Sequence, residues 1–208
     1  MSTNYNASIG IGSIVIFIAT IIIAGIAASI IMQTMDNLGQ QAKKTGSETI
    51  RDISGGLKVI QVTGYNDQGL ISKLSIFTEI ITASEPIDMY YTTIILSNSN
   101  QKVFLSYNQS CFNNTLENDM FDSIIFRQLN SNEFGIVVIR DIDSSITAEK
   151  PILNKGDLVG LLVNTSTCLS GINTNIHVTG KIYPEFGLEG FIEFTTPGVF
   201  IKNIIDLQ

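Results

Sequence analysis

Apolar and polar positions divide this chain into two unlike parts. From Ile9 to Met32 nearly every position is apolar, relieved only by Gly, Ser and Thr, and no charged side chain occurs before Asp36. From Leu57 onward the pattern becomes short runs of alternation, as in Leu74, Ile76 and Ile80 set against Lys73, Ser75 and Glu79. The first pattern is uniform around a helix; the second has the two-residue period of a half-buried strand. A helix apolar on every side must be surrounded by lipid or by protein, and about 20 such residues cross a hydrocarbon core of about 30 Å. Ile, Val and Phe each favour insertion, and Gly, Ser and Thr cost little, so the whole run favours the bilayer.

Helical character continues past Met32. Leu38, Ala42, Thr49, Ile50 and Ile53 form a sparse apolar stripe among Lys43, Lys44, Glu48, Arg51 and Asp52. Gly39 and Gly46 weaken this stretch, each by about 1 kcal/mol relative to Ala. Gly55-Gly56 is the expected stop. A helix continuous to Ser54 would be about 70 Å long at about 1.5 Å per residue. That is more than twice a bilayer, and a simple anchor has no use for it. Small residues recur four apart, Ala24 with Ala28 and Gly25 with Ser29, a spacing that lets helix backbones approach closely. If such rods bundle, the contact surface comes from Ile14, Phe17, Ile18, Ile21, Ile22, Ala24, Gly25, Ala28 and Ser29.

Everything after Gly56 reads as strands. Candidates cover 57–65, 70–81, 90–97, 103–107, 121–129, 134–140, 158–163, 174–183, 191–195 and 199–205, with a tight turn at Asn66-Asp67-Gln68-Gly69. Short strands separated by Asn, Ser, Gly and Pro clusters predict a sandwich or barrel. The fold class is therefore α+β, with a long hydrophobic helix over 1–56 and an antiparallel β-sandwich over 57–208.

Charge and cysteine content narrow the functional classes. The 208 residues carry a net charge of −7, which argues against a nucleic-acid partner. Cys111 and Cys168 form no Cys-x-x-Cys motif, so zinc and thioredoxin-type readings are poor. They are either one disulfide formed outside the cell or two buried small apolar residues. Sequons at Asn108, Asn113 and Asn164 support an exterior location and are candidate glycosylation sites; a further one begins at Asn6. The nearest positive charges follow the apolar run, which by the positive-inside rule would hold the large domain in the cytoplasm. The sequons and cysteines outweigh this, given a basic leader upstream of the run.

Candidate chemistry is sparse. His177 is the only histidine, on an alternating strand without a nucleophile motif beside it, and reads as structural. Gly39, Lys44 and Thr45 lack the second glycine of a phosphate loop and follow a helix, not a strand. Asp141 with Asp143, Asp119 with Asp122, and Glu185 with Glu189 could give oxygen ligands to a structural calcium-like ion, although none has the calcium-loop spacing. No catalytic constellation and no other cofactor is expected.

Several stretches resemble archaellins, the filament subunits of the archaeal motility organelle. The N-terminal signature is similar over Gly10–Ala19 and on to Thr34. Further similarity covers Gln41–Gly46, Ile53–Val59, Gly64-Tyr65, Pro86–Asp88, Thr92–Ser97 and Gly156–Val159. It resumes at Pro184–Gly187, Gly190–Pro197 and Leu207-Gln208. The resemblance implies that the sandwich is immunoglobulin-like and that a prepilin-type peptidase removes a basic leader. It also implies a membrane-inserted precursor, an assembly platform, and polymerisation with identical or paralogous subunits into an extracellular filament. In this chain no basic residue or glycine precedes Ala7, a departure from the family's leader pattern. The alternatives are an adhesive type IV pilin and a membrane-anchored binding or stator-like module.

Overall fold

The computed structural model describes residues 3–81, 84–115 and 119–208, with side chains described from residue 10 onward. The Asn6 sequon thus has no described side chain. Helix α1 runs unbroken over Thr3–Ser54. Its 52 residues span about 78 Å at about 1.5 Å each. No proline interrupts it, and Gly39 and Gly46 are carried within it. The chain divides into two compact units, Met1–Thr49 and Ile50–Gln208, so the last helical turn belongs with the sheet.

In the second unit the strands are β1 (Leu57–Asp67), β2 (Leu70–Ile80), β3 (Ile87–Asp88), β4 (Thr93–Ser97), β5 (Lys102–Asn113) and β6 (Glu133–Arg140). They continue as β7 (Ile152–Leu153), β8 (Leu158–Asn164), β9 (His177–Tyr183), β10 (Gly190–Thr195) and β11 (Ile204–Asp206). Nine of them form one sheet in the order β10-β9-β4-β5-β6-β8-β2-β1-β11, and β3 pairs with β7. The β1–β2 hairpin turns through Gln68 and Gly69, both at positive φ (52° and 88°), where Asn66 Oδ1 accepts from Gly69 N at 3.0 Å. Two consecutive positive-φ residues match the right-handed twist of the strands they join.

The sheet folds over on itself around one core. Inward residues from both ends of the strand order, including Val62 and Ile76 on one side and Ile94, Val178 and Phe194 on the other, share a single buried cluster. A Cβ built at Gly190 would lie 3.2 Å from Val59, so β10 and β1 approach one another. Gln208 bridges them: its backbone oxygen accepts from Val62 N at 2.9 Å and its side-chain Oε1 accepts from Glu193 N at 2.8 Å. β6 and β8 are buried on both faces, which explains their unbroken apolar runs.

Three expectations are corrected. The sheet is antiparallel except that β5 and β6 run parallel. Residues 121–129 are not a strand: a 3₁₀ turn over Met120–Asp122 and helix α2 (Ile125–Gln128) lie there. Phe121, Ile125, Phe126 and Leu129 recur at helical spacing, and they cover the outer face of β6 and β8 in a second buried cluster with Val137 and Leu162. Finally, of the stretch 199–205 only Ile204 and Ile205 fall in a strand, β11, which runs on to Asp206. A short helix α3 (Thr165–Cys168), capped by Asn164, follows β8.

The helix end is tied into the sheet unit by backbone contacts. Leu188 N donates to Gly55 O at 2.8 Å and Leu57 N donates to Leu188 O at 3.1 Å. A side chain at Gly56 (φ 142°) would come within 2.4 Å of the Leu188 carbonyl oxygen, so only glycine fits. The Arg51 guanidinium stacks 4.4 Å above the Phe186 ring.

Candidate functional site

The most unusual surface is the helix itself. Ile14, Val15, Ile16, Phe17 and Ile18 are consecutive, and each is at least half exposed. Five neighbours in a row cover every direction around a helix, so no face is reserved for this chain's own core. Ile21 and Ile22 are equally exposed, and Ala24, Gly25, Ala28 and Ser29 lie open beside them. A side chain built at Gly25 would meet nothing within 4 Å. Within the apolar run the Thr20 hydroxyl donates to Phe17 O at 2.8 Å, which satisfies a polar group without outside help. Every residue assigned to polymerisation from the sequence therefore sits on open, unpartnered helix.

The cysteines do not pair. Cys111 on β5 belongs to the outer cluster with Phe121 and Phe126, whereas Cys168 on α3 packs in the main core beside Leu169 and Ile172. Both are free and buried. Burial raises both thiols, that of Cys168 from 9.0 to about 11. The expected bridge is replaced by the other sequence reading, two small apolar core residues, because β5 and α3 deliver them to separate clusters.

The three sequons differ in how much of each amide is already used. Asn108 Nδ2 donates to Glu133 at 2.7 Å, an interaction that holds the Glu133 carboxyl below its usual range. Asn164 Nδ2 donates to Phe126 O at 2.7 Å, and its Oδ1 accepts from Thr167 N to cap α3. Asn113 Oδ1 accepts from Thr115 N at 3.1 Å, and its amide nitrogen makes no hydrogen bond among the described residues.

One acidic cluster forms. Asp141 and Asp143 are joined by Asp157, all three offering carboxylate oxygens within 4.8 Å of one another. Asp157 is 1 % exposed and accepts from Ile142 N and Asn154 N at 3.0 and 2.9 Å. Asp141 accepts from Ser145 N and Ile146 N, and Asn154 Nδ2 donates to Asp143 at 2.7 Å. Hydrogen bonds from Ser145 and Asn154 hold the exposed Asp143 carboxyl below its usual range. No basic side chain pairs with the three among the described residues. An all-oxygen set with uncompensated charge fits a hard cation of the calcium type. Sequence reasoning missed Asp157, since only the folding of 140–157 brings it to Asp141. The other acidic pairs serve locally: Asp119 caps the 3₁₀ turn, and Glu189 lies 2.7 Å from Lys181 Nζ.

His177 is exposed, 3.1 Å from Thr195 Oγ1 and 3.6 Å from Glu193, on the outer face of β9. It faces no nucleophile arrangement. What the described residues present most of is open apolar surface along α1.

Comparison with known proteins agrees with that character. The family model for archaeal-type flagellin matches residues 7–194. Flagellin B2 of Methanocaldococcus jannaschii is 35 % identical over 205 residues, 97 % of this chain and 94 % of that protein. Flagellin B1 of Methanococcus voltae is 33 % identical over 212 residues, 99 % of this chain and 97 % of that one. The crystal structure of archaeal flagellin FlaB1 from Methanocaldococcus jannaschii superposes with a TM-score of 0.67 at 32 % identity, covering 74 % of this chain and 97 % of that one. The archaeal flagellum of Methanospirillum hungatei, at 14 % identity, shares the fold over 94 % of this chain and 98 % of its own, also with a TM-score of 0.67. An all-round apolar rod joined to a self-contained sandwich, matched along nearly its whole length by flagellins, makes this chain a member of the archaeal-type flagellin family.

Proposed function

We propose that α1 is the part of this chain that polymerises, first immersed in the membrane and then packed against copies of itself along a filament axis. The chain is a structural subunit of the archaeal motility filament at the cell surface, not an enzyme, and it assembles with copies of itself or of related flagellins. The observation that carries the proposal is the exposure of successive residues from Ile14 to Ile18 on a helix with no charge before Asp36. Moving such a helix from lipid to a bundle is a transfer from one apolar surrounding to another. Packing then decides the equilibrium, and the small residues Ala24, Gly25, Ala28 and Ser29 permit close approach.

A prepilin-type peptidase and an assembly platform are the partners this route requires. The sandwich forms the outer wall and carries glycans. Asn113 offers an amide nitrogen with no hydrogen bond among the described residues, whereas the nitrogen that would carry the glycan already donates to Glu133 at Asn108 and to Phe126 O at Asn164. Occupancy therefore falls from Asn113 to Asn108 and Asn164 when attachment follows folding. Peptide mass spectrometry of filaments reads this order directly, and full occupancy at Asn164 with an empty Asn113 would reverse it. For the helix, the test is Ile22→Asp in the full chain: micrographs should show no filaments, and normal filaments would remove the proposal.

A further inference from the structure

The outer face of the sheet carries an apolar stripe that the sandwich core does not use. The register places Phe104 on β5 opposite Ile95 on β4, Ile95 opposite Lys181 on β9, and Lys181 opposite Phe191 on β10. Phe104 and Phe191 are 57 % and 62 % exposed, and the Lys181 amine lies 5.2 Å from the Phe191 ring centre. The adjoining row, Lys102, Ser97, Thr179 and Glu193, is polar, as a solvated sheet face should be. Between the rows lies a depression of about 450 Å³.

A second apolar feature stands elsewhere on the same unit. Between β10 and β11 the chain forms a knuckle in which Phe200 packs against the core while its neighbours Val199 and Ile201 are 73 % and 90 % exposed. Lys202 follows directly, exposed and without an ion pair among the described residues. At the edge of the depression Glu193 is 72 % exposed, its carboxylate answered only by His177 at 3.6 Å.

We propose that the Val199–Ile201 knuckle of one subunit docks on the Phe104–Ile95–Phe191 stripe of a second copy of the chain, with Lys202 facing Glu193 across the contact. The proposal rests on the filament reading above and adds to it a contact between sandwiches. Helical growth needs a heterologous contact, in which two different patches of the same chain meet head to tail, because a self-complementary patch closes a dimer. This unit carries two separate exposed apolar patches, one at Val199 and Ile201 beside Lys202 and one at Phe104 and Phe191, where Glu193 stands at an edge that Lys102 and Lys181 also line. Docking covers both and gives Lys202 an acidic partner in Glu193, which otherwise meets only His177.

The test uses full-length chain harvested as filaments. Phe104→Cys and Ile201→Cys are combined in one chain, the native thiols being buried and silent, and filaments are oxidised mildly before non-reducing electrophoresis. The expected result is a ladder of cross-linked multimers for the double variant and monomers for each single variant. Intact filaments of the double variant that stay monomeric overturn the proposal. Charge reversal is the second arm. Glu193→Lys and Lys202→Glu should each lower filament yield about tenfold, and the two together should restore most of it; a double variant no better than the worse single overturns the contact. Wild-type filaments in the same micrographs keep the two readings apart, since their absence removes the filament reading itself.

Discussion

Isoleucine does opposite things in the two units of this chain. In α1, Ile14, Ile16, Ile22 and Ile30 are between 56 % and 68 % exposed; in the sheet, Ile71, Ile76, Ile94 and Ile136 are wholly buried. The sheet unit buries most of its apolar residues internally, around one core and a second cluster under α2. The helix satisfies none of them. A helix of this kind has to stay in lipid or associate, because leaving it in water would cost about 25 cal/mol per Å² of apolar surface, and between lipid and a bundle packing decides. The difference teaches where assembly chiefly lives: the unit with its own core leaves only patches to others, and the helix leaves everything.

Breaking the helix should have the largest effect. Ile22→Asp or Gly25→Asp is expected to abolish filaments while leaving the fold of the sheet unit intact, checked by micrographs beside circular dichroism of each full-length variant. Within that unit the order of magnitude drops. Phe134→Ala empties a wholly buried aromatic site and should cost about 3–5 kcal/mol in denaturant melts. Calcium added to chelator-treated protein should stabilise it by about 2.7 kcal/mol at a hundredfold excess over Kd, and Asp143→Asn should remove that gain.

The last two effects are smaller still. Burial holds the Cys168 thiol protonated up to about 11 in the folded state, while an unfolded thiol ionises near 9.0. The unfolded chain therefore releases its proton first, so the stabilisation is complete below pH 9.0 and is lost as pH rises toward 11. About 2 kcal/mol is at stake, and Cys168→Ala should flatten the alkaline limb of a stability–pH curve. Gln208→Ala removes the side-chain amide that bonds Glu193 N and Phe191 O, at a cost of about 1 kcal/mol by the same melts.

Much of this contrast was legible in the residues because it rests on periodicity. The apolar run, its extension to Ser54 and the hairpin at Gln68-Gly69 each have a local cause that a sequence displays. What escaped depends on distant neighbours. Residues 121–129 looked like a strand because they are aromatic and β-branched, yet the spacing of Phe121, Ile125 and Leu129 was already helical. The parallel pairing of β5 with β6 follows from the excursion through α2, which no alternation reveals. Asp157 joins Asp141 only once the intervening residues fold back, and the cysteines part company because β5 and α3 deliver them to different clusters. Local chemistry could name the groups without saying which would meet.

The central claim is that copies of the chain pack around α1 and keep it from water in the assembled filament. Ile22→Cys in the full chain, harvested as filaments freed of lipid and treated with a water-soluble maleimide, tests it most directly, since both native thiols are buried. The account predicts that the thiol stays unlabelled in filaments and reacts fully once they are dissociated and unfolded. Complete labelling in intact filaments would contradict it.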